Sequence, residues 1–138
     1  GKGAPGNLGA MVNGVKKGYY LNIAGGRAVK SILMAEDIAR IMPALVKKGG
    51  VYNVCDTFQP TFGQISESVA NQLGKRKPMS IPMWMAKCMA FVGDFLGSKV
   101  PINSYKLEKM TKNLTFSNEK ARKELGWEPL DVLTNYKI

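Results

Sequence analysis

Apolar residues recur every three to four positions along much of the chain, the spacing that places them on one face of an α-helix. This pattern predicts six helices, which cover Asn7 to about Lys17, Glu36 to about Val46, Thr61 to about Leu73, Pro82 to about Leu96, a segment that begins at Asn103 or Ser104, and a short segment capped by Ser117 or Asn118 that ends at Leu125.

Residues that start or stop helices lie where this pattern requires them. Thr61 and Gln64 have the spacing of a capping box, in which each residue satisfies a free backbone N–H of the other. Gly49-Gly50 ends the second helix, and Gly126 supplies the left-handed residue that ends the last. Pro43 lies inside the second helix, where it should remove one hydrogen bond and kink the helix.

Three short runs have the composition of β-strands. They cover Tyr20 to Ala24, Val29 to Met34 and Val51 to Val54, and Gly25-Gly26 forms a turn between the first two. Three or four such strands are too few for a parallel sheet of their own. The sequence therefore predicts a helix-rich, mixed α/β fold that is part of a larger α/β protein.

The segment after Pro82 is apolar over an unusually wide face. One stripe is Trp84, Cys88, Phe91 and Phe95, and the adjacent stripe is Met85, Met89, Val92 and Leu96. Helical periodicity favours a buried core helix. The alternative is the wall of a groove or a face that meets a partner.

Composition limits the class of protein. A chain of 138 residues with 45% apolar residues suits a single domain, with a flexible lead-in at residues 1–6 and a frayed tail at residues 131–138. Cys55, Cys88 and the absence of histidine argue against a metal site and favour small buried hydrophobic residues in a reducing compartment. No apolar run reaches about 18 residues and no signal segment is visible, so we expect a cytoplasmic protein with no membrane partner.

The net charge of +10 raises the question of nucleic acid. The lysines are scattered or paired, and the densest cluster, Lys75-Arg76-Lys77, falls in a loop. No basic helix and no alternation of basic and aromatic residues is present, so we expect no nucleic-acid partner. An anionic small molecule or an acidic partner accounts equally well for the charge. The Gly-rich start contains no G-x-x-x-x-G-K-[ST] and follows no strand, which excludes a phosphate-binding loop and a dinucleotide fingerprint there.

Four segments in order resemble the extended short-chain dehydrogenase/reductases, the NAD-dependent epimerase/dehydratase family that acts on nucleotide sugars. They are PGNLGAMVNGVKKG, GGRAVKSILMAEDIARIM, VYNVCDTFQPTFGQISESVANQLGK and SNEKARKELGWEP. The resemblance runs from Gly3 to Leu130. It implies the C-terminal substrate-binding lobe of a Rossmann-type enzyme whose cofactor-binding half lies upstream.

The resemblance also implies the cofactor and the partners. NAD or NADP would be held by the absent half, this chain alone would bind no cofactor and be inactive, and its partners would be a nucleotide sugar, the missing Rossmann half and a second copy in a homodimer. No catalytic residue and no metal ligand is expected here. Two alternatives stay open, a reductase that acts on a non-sugar carbonyl compound and a non-catalytic ligand-binding or interaction module.

By the same resemblance, five residues are expected to bind the substrate. Asn7 and Leu8 occupy the family's Asn-Leu pair at the diphosphate and base, and Asn7 also suits a helix cap. Lys30 stands where these epimerases place a phosphate-binding arginine, and it keeps the charge but loses the bidentate fork. Ile23 and Ile32 flank the same cleft, although core packing is the more common role for such residues.

Two further sites have structural explanations. Asp37 opens a helix, and its family counterpart serves the fold. Tyr105 and Lys109 fit the family's Tyr-x-x-x-Lys pattern, but they follow the substrate segment instead of preceding it. We therefore expect an ordinary helix turn there. No residue matches the family's second phosphate-binding arginine, for which Lys109 or Lys112 could substitute.

Overall fold

A computed structural model describes Gly3, residues 6–96 and residues 102–138 of the chain. Most of the expected lead-in, residues 1, 2, 4 and 5, lies outside the described residues. Seven α-helices and two short strands are formed in the described part. In chain order they are α1 (Gly6–Lys17), β1 (Asn22–Ile23), α2 (Ala35–Lys48), α3 (Phe62–Gln72), β2 (Ser80–Ile81), α4 (Met83–Leu96), α5 (Ser104–Thr111), α6 (Glu119–Leu125) and α7 (Val132–Asn135).

The six predicted helices are confirmed as α1 to α6, and the strand predictions are largely wrong. β1 is shorter than expected and pairs in parallel with β2, a strand that the sequence did not indicate. Residues 29–34 make only isolated bridges, Val29 to Thr61 and Lys30 to Leu114, and residues 51–54 form no strand. A strand needs a continuous ladder of hydrogen bonds to its neighbour. In the described part of the chain the first segment has only single backbone contacts, in which the Lys30 N–H donates to the Pro60 carbonyl and the Ser31 N–H to the Leu114 carbonyl.

The largest core cluster joins α1, α3 and α7. Its buried members are Met11, Val15, Ala28, Met34, Phe62, Ile65, Val69, Ala70, Val132 and Tyr136. The tail at residues 131–138 was expected to be frayed, but it forms the helix α7. Asp131 caps this helix, and its side chain accepts from the Leu133 N–H at 2.9 Å. Val132 and Tyr136 are apolar enough to fill the space beside α3, and this burial orders the last turn.

Two smaller clusters complete the core. Ile23 of β1 packs with Ala86, Ala90 and Leu107, which joins β1 to α4 and α5. Ile41, Ala121 and Trp127 join α2 to the C-terminal segment. α2 runs through Pro43 to Lys48 and keeps Ile41 buried. The contacts of β1 with α4 and α5 hold one side of the cavity described below.

The predicted burial of the large side chains on α4 is wrong. Its buried residues are Ala86, Ala90 and Gly93, and both predicted stripes are exposed. Cys88 is exposed with them, whereas Cys55 is buried as expected. Small residues let α4 approach α5 and β1 closely, and the large residues then point away from the core.

The helix α6 is positioned mainly by buried polar contacts, and at its start the Glu119 N–H donates to Ser117 Oγ at 3.3 Å. Asn118 precedes the helix, but its side chain makes no capping bond; its Nδ2 donates to the Cys55 carbonyl at 2.9 Å. Trp127 Nε1 donates to the same carbonyl, also at 2.9 Å. Gly126 ends α6 in the left-handed conformation as predicted. Trp127 is buried, whereas Phe116 is 48% exposed.

The capping box of α3 is present in both directions. The Gln64 N–H donates to Thr61 Oγ1 at 3.2 Å, and the Thr61 N–H donates to Gln64 Oε1 at 2.9 Å. Thr61→Ala is expected to lower the free energy of unfolding by about 1 kcal/mol because one helix N–H loses its partner. Thr61→Ser, which keeps the hydroxyl, should recover most of this loss in urea denaturation. Equal losses in both variants would show that the cap contributes nothing.

No helix in the described part of the chain is long and apolar enough to cross a membrane.

A candidate ligand cavity between α1, α4 and α5

A cavity of about 490 Å³ lies between α1, the segment that leads into β1, and the pair α4 and α5. Its apolar and aromatic lining consists of Ala10, Met11, Tyr19, Tyr20, Leu21, Ile23, Phe62, Ile81, Met89, Ile102 and Met110, and its polar lining consists of Asn7, Asn13 and Lys106. The volume is in the range of small-molecule sites, which are about 300–1,000 Å³.

The helix α1 provides one wall through its first turns. Asn7, Ala10 and Asn13 lie three residues apart and therefore share a face, with Met11 beside them. The first four backbone N–H groups of a helix have no partner within it and can bind an anion. The wall thus combines two amide side chains with the positive end of the helix dipole.

Two tyrosines form the adjacent wall, and Gly14 positions them. The N–H groups of Tyr19 and Tyr20 donate to the Gly14 carbonyl at 3.0 and 3.2 Å. A Cβ at Gly14 would lie 3.1 Å from Tyr20 Cβ and 3.3 Å from the Tyr19 ring, so a larger residue there would displace both tyrosines by a few tenths of an ångström. Burial raises the pKa of Tyr20 to about 12, which keeps its phenol protonated and unsuited to act as a base.

Apolar and aromatic surface dominates the lining. Among the described residues it contains no carboxylate, imidazole or thiol, and its titratable side chains are those of Tyr19, Tyr20 and Lys106. Lys106 brings a positive charge from α5. Such a cavity suits a ligand that has an aromatic or apolar part and an anionic or polar end.

The structure places two of the five predicted substrate residues at this cavity. Asn7 lies in the first turn of α1, and Ile23 is part of β1. Leu8 and Ile32 instead pack against the largest core cluster. Neither of these two, nor Lys30, lines the cavity.

Lys30 ties its own segment to the end of α5. Its Nζ donates to the Lys109 carbonyl at 2.9 Å and to the Lys112 carbonyl, groups that a helix leaves unpaired at its C-terminus. Nζ also lies 5.5 Å from the ring centroid of Phe62, which borders the cavity. Burial lowers the pKa of this ammonium. A phosphate could take the third N–H of Lys30 or displace one of the carbonyls.

The remaining sequence candidates have structural roles. Asp37 is fully buried and accepts from Arg40 Nη1 at 2.8 Å and from the Leu130 N–H at 2.9 Å, which joins α2 to the C-terminal segment. Tyr105 is 64% exposed on α5, with Lys109 Nζ 4.2 Å from its ring centroid. This pair lies outside the lining of the cavity.

Several lining residues have no separate signal in the sequence. Ile102, Lys106 and Met110 are spaced by four, which indicates a shared helical face. The sequence does not indicate that this face lines the cavity. The sequence pattern places Tyr20 at the start of a predicted strand and gives no role to Tyr19. Met89 was expected in the core of the protein. These residues come together through contacts distant in sequence.

A second, open cleft of about 310 Å³ lies beside the two segments that lack strand partners. It is lined by Ser31, Ile32, Leu33, Tyr52, Asn53, Val54, Cys55 and Phe116. Ile32, one of the predicted substrate residues, therefore lies at this cleft. Val51 immediately precedes Tyr52, a lining residue of this cleft, and is 86% exposed.

Solved structures of nucleotide-sugar enzymes share this fold. The nucleoside-diphosphate-sugar epimerase PA4631 from Pseudomonas aeruginosa matches with a TM-score of 0.61 and 19% identity, over 89% of this chain and 37% of that one. UDP-glucose 4-epimerase from Thermotoga maritima, solved with UDP-glucose, matches with a TM-score of 0.58 and 18% identity, over 93% and 35%. dTDP-glucose 4,6-dehydratase from Bacillus anthracis, solved with NAD, matches with a TM-score of 0.55 and 19% identity, over 88% and 33%.

Neither a protein-family model nor a curated protein matches the sequence. The chain spans between 33% and 37% of the three solved structures just described. The resemblance stated from the sequence motifs is confirmed at the level of the fold. The chain has the fold of one part of the NAD-dependent epimerases and dehydratases, the extended short-chain dehydrogenase/reductases.

Proposed function

We propose that this chain is the substrate-binding portion of an NAD(P)-dependent nucleotide-sugar epimerase or dehydratase. The observation that carries the proposal is a cavity of about 490 Å³ in a fold shared with such enzymes. The cavity offers a helix N-terminus, aromatic rings and a lysine, the three kinds of group that recognise phosphate, base and charge.

The ligand would lie across α1. The diphosphate would take the free N–H groups of the first turn and the amide of Asn7, with Lys106 as counter-charge. The base would rest on Tyr19 or Tyr20, whose rings form the adjacent wall. Ile23 would pack against the sugar or base from β1. Leu8, Lys30 and Ile32 would contribute by holding α1 and the segment at residues 30–32 in place.

The nicotinamide cofactor would be held by another part of the protein. A dinucleotide site needs a strand that runs through a Gly-rich turn into a helix, and no strand of the described residues does so. The residues here do not fit the cofactor. This chain would bind and orient the substrate, and hydride transfer would take place on groups outside it.

The open cleft beside residues 31–33 and 52–55 is the proposed junction with that other part. Both segments have strand-forming sequences but form no strand, the first having only single backbone bonds at Ser31 and Ile32. Val51 and Phe116 expose apolar surface beside them. A neighbouring strand would satisfy both conditions. Both cysteines are free, which is compatible with a reducing compartment such as the cytoplasm.

Ligand binding by the chain tests the proposal. UDP-glucose, dTDP-glucose or GDP-mannose is expected to raise the melting temperature, and NAD alone is not. Ala10→Phe, at an exposed position that lines the cavity, should fill it and weaken binding at least tenfold. Ala39→Phe, at an exposed position of α2 outside the lining, is the matched control and should bind as the unchanged chain does.

Stabilisation by NAD in the absence of a sugar nucleotide would contradict this assignment of roles. So would sugar-nucleotide binding that Ala10→Phe leaves unchanged, because the ligand would then lie elsewhere. In the gene, the reading frame upstream of Gly1 is expected to encode a strand followed by G-x-x-G-x-x-G.

A reductase that acts on a non-sugar carbonyl compound is the second candidate. The observation in its favour is the lining itself, in which Met11, Met89 and Met110 contribute flexible apolar surface. Such a cavity should bind an aromatic ketone in preference to a sugar nucleotide. Competition between acetophenone and UDP-glucose for the same cavity, with Ala10→Phe as control, separates the two candidates.

A further inference from the structure

The helix α4 is built with its small residues inside and its large residues outside. Ala86, Ala90 and Gly93 are buried against α5 and β1. Every large apolar residue from Trp84 to Leu96 is exposed. A surface helix normally shows the opposite arrangement. The outer face of α4 is here called the α4 face and consists of Trp84, Met85, Cys88, Met89, Phe91, Val92, Phe95 and Leu96.

The α4 face is continuous and large. At 100° per residue these side chains cover an uninterrupted arc of about 160°. Trp84, Phe91 and Phe95 are 66%, 64% and 78% exposed, and aromatic side chains span roughly 150–250 Å² each. The three rings alone therefore expose several hundred Å², which is on the order of the largest apolar patch of a typical monomer.

The charged residues nearest to α4 in sequence are almost all positive. Between residues 75 and 96 the basic residues are Lys75, Arg76, Lys77 and Lys87, all exposed, and Lys77 pairs with Glu67 at 2.7 Å. The one acidic residue of that stretch is Asp94. Its carboxylate accepts from the Ser104 N–H at 2.9 Å and from Ser104 Oγ at 2.6 Å.

We propose that the α4 face rests on an anionic lipid bilayer. An exposed apolar helix surface with tryptophan and phenylalanine, preceded by a basic cluster, has the chemistry of a helix that lies in the membrane interface. With 14 residues, α4 is about 21 Å long, shorter than the hydrocarbon core of about 30 Å. It lies on the bilayer instead of crossing it.

Charge favours a bilayer over a second copy of the chain. Each copy has a formal charge of +10, so two copies repel each other, whereas anionic headgroups attract the chain. The sequence-based expectation of no membrane partner depended on the absence of a spanning segment and of a signal segment, and neither bears on a helix that lies on the bilayer surface. The inference does not use the cavity, although Met89 of the α4 face also lines it.

Trp84 provides an internal reporter for the test. It is 66% exposed, whereas the other tryptophan, Trp127, is 3% exposed. Vesicles of 70% phosphatidylcholine and 30% phosphatidylserine should shift the emission to the blue and sediment with the protein. Vesicles of pure phosphatidylcholine should bind at least tenfold more weakly, and 500 mM salt should reduce binding to the anionic vesicles similarly.

Variants separate the two contributions. The double substitution Phe91→Gln and Phe95→Gln replaces exposed rings and should lower partitioning at least tenfold, whereas Val46→Gln, at a residue 79% exposed on α2, should leave it unchanged. Lys75→Gln with Arg76→Gln should weaken binding at least tenfold to anionic vesicles alone. Lys47→Gln with Lys48→Gln, at exposed positions that end α2, is its matched control.

Three results would overturn the proposal. The first is the absence of binding to anionic vesicles, and the second is binding that the Phe91 and Phe95 substitutions leave unchanged. The third is a dimer in light scattering that these substitutions abolish while vesicles remain unbound, which would assign the α4 face to a second copy. Circular dichroism of each variant shows that the fold is retained, so a loss of binding can be attributed to the surface.

Discussion

Replacing Gly26 with alanine is expected to lower the free energy of unfolding by about 3–5 kcal/mol. Gly26 ends the 3-10 helix Ala24–Gly26 that follows β1, and its φ of +64° is in the left-handed region. A Cβ there would lie 2.6 Å from the Gly63 nitrogen and 2.7 Å from Gly63 Cα. These are backbone atoms at the start of α3, which cannot move without shifting that helix, so strain and overpacking add.

Gly74→Ala isolates the backbone contribution. Gly74 has a φ of +61°, but a Cβ there meets nothing within 4 Å. Gly74→Ala is expected to lower the free energy of unfolding by about 1–2 kcal/mol, which is the cost of the left-handed conformation alone. Urea denaturation followed by tryptophan fluorescence measures both variants. Equal losses at Gly26 and Gly74 would show that the close approach of Gly26 to Gly63 carries no energy.

Trp127→Ala is expected to lower the free energy of unfolding by about 3–5 kcal/mol. The side chain is 3% exposed and fills the third core cluster with Ile41 and Ala121. Its truncation leaves a cavity between α2 and α6, and the Cys55 carbonyl loses one of its two side-chain donors while the amide of Asn118 stays in place. The loss therefore combines a transfer contribution, a cavity and part of a hydrogen bond.

Two variants define this result further. Trp127→Phe keeps most of the volume and removes the donor, so it should cost about 1–2 kcal/mol. Trp84→Ala makes the same chemical change at an exposed position and should stay within about 0.5 kcal/mol. Thermal unfolding followed by far-UV circular dichroism suits all three variants because it does not depend on tryptophan. A small loss for Trp127→Ala would mean that α6 contributes little to the stability of the core.

Local signals predicted the helices well, because a helix is stabilised by residues that are near one another in sequence. The capping box of Thr61 and Gln64 and the glycine stop at Gly126 were both visible and both formed. The strands failed for the opposite reason. Residues 51–54 have a strand composition, but a strand depends on a neighbour that only the tertiary structure supplies.

The orientation of α4 shows a different limit. Periodicity revealed a wide apolar face, and it could not show that Ala86, Ala90 and Gly93 form the side that packs. A large apolar residue favours burial only where the neighbouring elements leave room for it. The α5 helix and β1 lie too close to α4 for rings, and small residues fit there.

The candidate site was predictable in part. The resemblance named Asn7 and Ile23, which do line the cavity, and also Lys30, whose ammonium is engaged at the end of α5. The tyrosine wall was not predictable, because it depends on the approach of Tyr19 and Tyr20 to Gly14 in space. Such a contact leaves no periodic trace in the sequence.

Residues 130–136 determine when the core can form during synthesis. The Leu130 N–H donates to Asp37 Oδ2, the Val132 N–H donates to Asp56 Oδ2 at 2.9 Å, and Gln72 Nε2 donates to the Tyr136 carbonyl at 2.8 Å. On the ribosome, the earlier segments therefore wait for partners that are translated 64 to 93 residues later. Until then α2 and α3 expose apolar faces, and an exposed apolar face makes a nascent chain prone to aggregate.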